Sequence, residues 1–273
     1  MYLVRGGLRG PGDAAPSDPG GSGGRPAPGL LLTEPIRGLA DLTALLLAAP
    51  ALLGAPRGDG HGVLVVPGLL AGDASTVPLR AFLRWLGYDV RGWALGRNQG
   101  PTEAVLAGLP RAVLDHSERT GRPVSLIGWS LGGIYAREMA RRHPRKVRRV
   151  ITLGSPYAMH DPRQTYAYGP YQQFSSRHAL DRKLPSREQR ARPVSVPSTS
   201  VYSRWDGVVP WQACVEPETA LHQNVEVRCS HLGFGVDPAT LWLIADRLAV
   251  PDQGSGQRVP FRPPLALRAL YPR

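Results

Sequence analysis

A serine hydroxyl is a weak nucleophile until a base takes its proton, and one serine in this chain stands where such activation can be built. Gly128-Trp129-Ser130-Leu131-Gly132-Gly133 directly follows the apolar run 124–128 and opens the helical pattern 131–143. A G-x-S-x-G pentapeptide alone is a weak signal, but between a buried strand and an amphipathic helix it marks a nucleophile turn. So sharp a turn strains the serine backbone, and close approach of strand and helix leaves room only for glycine at 128 and 132. Ser130 would then sit at the positive end of the following helix. A phosphate-binding loop would place a lysine in the turn, and there is none.

The base must be one of seven histidines: 61, 116, 143, 160, 178, 222 or 231. His231 alone stands three residues after the last strand pattern and before the final helix, in the small-residue loop Ser230-His231-Leu232-Gly233-Phe234-Gly235. An acid must hold the imidazole in one tautomer. Asp206 follows the strand pattern 199–203 in an Asp-Gly turn, giving the chain order Ser, Asp, His. Asp161, after the preceding strand, is the other candidate acid, whereas Asp237 before Pro238 suits a helix cap. Two backbone amides would hold a developing oxyanion: that of Leu131 and that of Leu69 in the loop 66–72, with Leu70 the alternative. Such a site calls for neither cofactor nor metal.

These residues need a rigid frame. Short apolar runs at 62–66, 88–92, 124–128, 150–154, 199–203 and 224–228 predict strands, most of them buried. Between them Leu79, Phe82, Leu83 and Leu86 form one helical stripe, and Val105, Leu106, Leu109 and Val113 another, with Thr102 as a cap. Leu131, Ile134, Tyr135 and Met139 form a third, and Leu241, Ile244, Ala245 and Leu248 a fourth. Alternating strands and helices imply an α/β fold with a mostly parallel six-stranded sheet covered on both faces. Residues 156–196 break the alternation and read as an insertion, its tyrosines and Phe174 forming an apolar face against a substrate pocket. The organisation expected is a disordered Gly/Pro-rich tail over 1–29, a domain over 30–251 and a C-terminal tail over 252–273. Residues 39–53 are too short and interrupted for a membrane span, and predict a surface helix with its apolar face packed on the domain; a downstream signal peptide is the alternative. Residues 1–29 lack the apolar core of a secretory signal, which favours the cytoplasm while leaving the compartment open.

The formal charge of +12 invites a nucleic-acid partner, but Lys146 and Lys183 are the only lysines among 33 basic residues. Arginine so favoured over lysine, beside abundant Gly and Pro, is what GC-rich codons produce. The basic residues are scattered and no nucleic-acid motif accompanies them. Nucleic acid is therefore not expected as a partner, whereas attraction to an anionic membrane or lipid surface is compatible with the charge. Cys214 and Cys229 could form one disulfide or stay as two buried thiols.

Taken together, strand-PGLL, GWSLGG, the GSP after the next strand, S-x-x-DGVVPW and SHLGFG-x-DP resemble the bacterial α/β-hydrolases of the small esterase/lipase group over about residues 35–250. The resemblance implies a parallel core, a lid or cap between the sixth and seventh strands, and hydrolysis of a small-molecule ester or lipid through Ser130, His231 and Asp206. Two departures are Pro67-Gly68 where many relatives have His-Gly, and no evident antiparallel strands before residue 62. The same three residues would also serve a thioesterase or an acyltransferase. A non-catalytic ligand-binding or membrane-surface domain is the reading from another class.

Overall fold

The computed structural model describes residues 24–179, 186–251 and 259–272. Strand residues alternate between two cores. In β1 (Gly62–Val66), Val63 and Val65 enter one apolar cluster while Leu64 and Val66 enter another. In β3 (Val124–Trp129) the same period of two separates Ile127 from Leu126. Strands that bury both faces need helices on both. On the first face α2 (Val77–Trp85) and α7 (Pro238–Ala249) supply Leu79, Leu83, Leu241 and Ile244. On the second, α3 (Glu103–Thr120) and α4 (Leu131–Arg142) supply Val105, Leu109, Tyr135 and Met139.

With β2 (Asp89–Gly92), β4 (Val147–Leu153), β5 (Ser198–Ser203) and β6 (His222–Val227), the sheet has six strands, all parallel, in the order β2-β1-β3-β4-β5-β6. The chain leaves β1 for the edge strand β2 and returns to β3, so the direction of winding reverses there. A crevice opens at such a reversal, outside the carboxyl ends of the strands. Helix ends follow the chemistry of their caps. The Thr102 side chain accepts from Val105 N ahead of α3, and that of Asp237 accepts from Thr240 N ahead of α7.

Several expectations need correction. Among the described residues no strand precedes β1, so the inserted segment lies between the fourth and fifth strands of this sheet. It carries α5 (Tyr168–Gln172) and α6 (Arg187–Ala191); the part holding Arg182 and Lys183 lies outside the described residues. Tyr157 is not part of its substrate-facing surface. It is buried, its hydroxyl 2.6 Å from Ser200 Oγ and 2.9 Å from Cys214 O. The described part of the C-terminal tail is packed: Leu267 and Tyr271 join the first core, and Tyr271 donates to Ala239 O at 2.6 Å. Of the expected N-terminal tail, 1–23 lies outside the described residues, and helix α1 (Pro28–Leu52) begins before 30. That helix also faces the other way from the expectation. Its buried residues are Glu34 and Leu52, while Leu32, Ile36, Leu39, Leu46 and Leu47 are exposed. Cys214 and Cys229 are free and buried, and burial raises both thiols well above the usual value, which keeps them unreactive.

Candidate active site

Strand β3 runs into the turn Trp129-Ser130-Leu131, and Ser130 adopts φ 52° and ψ −120°. A non-glycine residue held there is strained, by about 1–3 kcal/mol. Close approach enforces the strain. A Cβ at Gly132 would stand 2.7 Å from Pro67 O, and one at Gly128 would stand 2.5 Å from the Gly132 carbonyl carbon. The Ser130 amide donates to Leu153 O at 2.8 Å, which ties the turn to the end of β4.

His231 reaches this region from the loop after β6. Its carbonyl accepts from Trp129 Nε1 at 3.1 Å, so the residue beside the serine holds the histidine loop. A Cβ at Gly154, just past β4, would lie 3.2 Å from His231 Nδ1 and 3.0 Å from Asp206 Oδ2, so both side chains press on the end of β4. His231 Nδ1 is 2.6 Å from Asp206 Oδ2, with both residues buried. The other Asp206 oxygen accepts from Val208 N at 2.8 Å and Val209 N at 2.7 Å. Burial pushes the His231 pKa down, but the adjoining Asp206 carboxylate, with a smaller contribution from Glu34, carries it above the ordinary value. Asp161, the other candidate acid, is bonded to other partners. It caps a short 3-10 turn and pairs with Arg163 in solvent.

The loop after β1 passes against the serine: a Cβ at Gly68 would stand 3.2 Å from Ser130 Cβ, which accounts for a glycine there. Leu70, at φ 61°, gives its amide to Asn98 O at 2.6 Å, so it is committed elsewhere, which leaves the Leu69 amide as the candidate on this loop. Leu131 is the first residue of α4, where an amide has no intrahelical acceptor.

Sequence reasoning passed over two acidic residues that shape the site from α1. Glu34 is buried and accepts from Gly207 N at 2.7 Å, His231 N at 3.0 Å and Leu232 N at 3.1 Å. Asp41 accepts from Ser230 N at 3.0 Å and Ser230 Oγ at 2.6 Å. Their spacing of seven, which puts both on one face of a helix, was the available signal.

Ser130, Leu69 and Leu131 line a cavity of about 580 Å³. Val105, Leu106 and Leu109 of α3 and Ile134, Tyr135 and Met139 of α4 form its walls, and Tyr168 and Tyr171 of the inserted segment contribute to them. Glu138 and Arg142 also line it, so the cavity follows α4 away from the serine for about 16 Å at 1.5 Å per residue. A strained serine lining a mostly apolar cavity suits attack on a carbonyl whose remaining substituent is a hydrocarbon.

A family model described as the alpha/beta hydrolase fold matches residues 112–177, which include the turn at Ser130. A stretch of 47 residues, 17% of this chain, is 49% identical to a pimeloyl-[acyl-carrier protein] methyl ester esterase of Aromatoleum aromaticum, and spans 19% of that protein's length. The chain superposes on a structure reported with the metagenome-derived lipolytic enzymes LipS and LipT, at TM-score 0.54 and 17% identity, over 71% of this chain and 93% of that one. Aspergillus fumigatus lipase B aligns at TM-score 0.55 and 17% identity, over 73% of this chain and 55% of that one. With the sheet order above, these likenesses give the chain the α/β-hydrolase fold.

Proposed function

We propose that this α/β-hydrolase-fold protein hydrolyses carboxylic esters whose acyl portion is apolar. The observation that carries the reading is the buried His231–Asp206 pair, bonded at 2.6 Å, beside a strained serine that opens on an apolar cavity. Ser130 Oγ attacks the ester carbonyl carbon while His231 Nε2 takes the hydroxyl proton, and Asp206 holds the opposite ring nitrogen and balances the charge. The amides of Leu69 and Leu131 donate to the oxygen that becomes negative. As the tetrahedral adduct collapses, His231 returns the proton to the departing alkoxide, leaving an ester on Ser130. Water repeats the sequence, losing its proton to His231, and the carboxylic acid departs. The lipolytic and esterase names of the similar proteins support this choice among the acyl-transfer chemistries the fold accommodates.

A panel of p-nitrophenyl esters from acetate to palmitate, run beside Ser130→Ala and a fluorophosphonate label, tests it. Turnover should rise with chain length over the part of the series the cavity accommodates, and label should attach to the wild type and not to Ser130→Ala. Labelling that survives Ser130→Ala, or no ester turnover at all, would overturn the assignment.

A further inference from the structure

Helix α1 shows water the face that a soluble helix usually hides. Its three charged residues, Glu34, Arg37 and Asp41, all point to the domain and are hydrogen-bonded there. Residues advance 100° around a helix axis, so the opposite side holds Leu32, Ile36, Leu39, Leu46, Leu47 and Leu53. They are exposed, Leu32 by 78%, Ile36 by 73% and Leu47 by 81%. Thr33 and Thr43 donate their hydroxyls to Gly29 O at 2.8 Å and Leu39 O at 3.0 Å, so neither needs an outside acceptor. The outward face is thus an uncharged strip about 37 Å long.

We propose that this strip seats α1 in the interfacial layer of a lipid surface bearing anionic headgroups, with the helix lying parallel to the membrane plane. A protein partner fits less well. Protein interfaces carry about one hydrogen bond per 100–200 Å², and this strip offers no side-chain donor without an acceptor. A helix from a second copy would form a seam flanked by charges, whereas the helix's only charged residues, Glu34, Arg37 and Asp41, are on the domain side. Both ends of the helix carry a cation on an aromatic ring: Arg25 over Tyr166 at 5.3 Å, and Arg57 over the exposed Trp85 at 4.1 Å. Basic and aromatic groups framing an apolar strip match the headgroup boundary of a bilayer. Exposed Trp205 and Leu232 stand on the two loops that α1 touches, and the chain's charge of +12 draws it to an anionic surface. The strip is long enough to cross a bilayer. Crossing would strip Glu34 and Asp41 from the catalytic loops, so the docked helix lies on the membrane. Residues 1–23 are dominated by Gly, Pro and polar side chains and bring little apolar surface to cover the strip.

The experiment reads protein mass, so its result is independent of ester hydrolysis. Full-length protein and the Ile36→Gln/Leu39→Gln/Leu46→Gln variant are sedimented with phosphatidylcholine–phosphatidylglycerol vesicles and with phosphatidylcholine vesicles. The wild type should pellet with the anionic vesicles and be released in part by salt. The variant, with unchanged thermal unfolding, should bind at least about tenfold more weakly. Bromine on the acyl chains should quench wild-type tryptophan fluorescence, a readout that needs no variant. Wild type that stays in the supernatant, a variant that binds equally, or no quenching would overturn the proposal. So would a wild-type dimer that the variant converts to monomer without lipid, because a second copy would then cover the strip.

Discussion

In the proposed reaction only neutral His231 can take a proton from Ser130, so the acid limb of the pH–rate profile follows this imidazole. Burial disfavours its charged form, but Asp206 and, more weakly, Glu34 prevail and set its pKa above the ordinary 6.5. Activity should fall as pH drops through that raised value, placing the acid limb of kcat/KM above pH 6.5. Protonated His231 correspondingly stabilises the fold below pH 6.5, and that contribution is lost as pH rises through the raised pKa. Glu34→Gln removes a charge while keeping an acceptor for the loop amides. It should move the acid limb to lower pH and reduce kcat several-fold with little change in KM; a limb that stays put would make Glu34 a scaffold alone. Ser130→Ala and His231→Ala should each cut kcat by at least about a thousandfold, and the double variant should be scarcely worse, because the pair acts as a unit. The turn that strains Ser130 and the loop that carries His231 were legible because their surroundings are local: a strand, a turn and a helix within a few residues of Ser130, and a glycine-rich loop around His231. Glu34 was not, since its partners lie at 207, 231 and 232.

On the proposed reading, helices α3 and α4 set how much hydrocarbon fits beyond the serine. Leu106 lines the cavity and is only partly buried, so a larger ring there occupies substrate space without crowding the core. Leu106→Trp should lower turnover of p-nitrophenyl decanoate and palmitate at least about tenfold and leave acetate near normal. Equal losses on all three esters would mean that the cavity does not hold the acyl chain. Strand and helix periods read these elements correctly, since Leu79, Leu83, Val105 and Leu109 are buried as their stripes require. The period of α1 was readable as well, but not its orientation. An apolar stripe reports which residues share a face, and only contacts distant in sequence reveal where that face points. Tyr157 was misplaced for a similar reason: its nearness to the insertion hid its hydroxyl contact with Ser200 on β5.

Across the molecule, buried polar groups tie stability to pH and to single charge pairs. His61 is fully buried, with Nδ1 2.5 Å from Asp59 Oδ1 and Nε2 2.8 Å from Ser125 Oγ. Burial lowers its pKa to about 4 from 6.5, and buried His116 is lowered by the same cause. Groups depressed in this way stabilise the fold above pH 6.5 and lose that contribution as pH falls toward 4, on the order of 3 kcal/mol from His61. Thermal unfolding measured from pH 7 to 4 should show the decline, and His61→Gln should flatten it. Arg137 is fully buried, bidentate to Glu216 at 2.8 Å and 2.8 Å, and stacked 3.8 Å over the Tyr157 ring. Glu216→Ala should cost about 3–5 kcal/mol in denaturant unfolding, and pairing it with Arg137→Met should recover much of the loss. Composition could not separate this arginine from those that codon usage scatters over the surface.

The clamp from α1 also fixes when the protein can become active. Glu34 emerges early from the ribosome, yet it bonds to amides 173, 197 and 198 residues further along. Contacts that distant form late, after loop closure and sheet assembly. A nascent chain can therefore carry Ser130 in its turn while the acid and base loops are still unmade. Hydrolysis should begin only once residues 207–232 have been released and packed on α1, so translation products truncated before them would be inert rather than partly active.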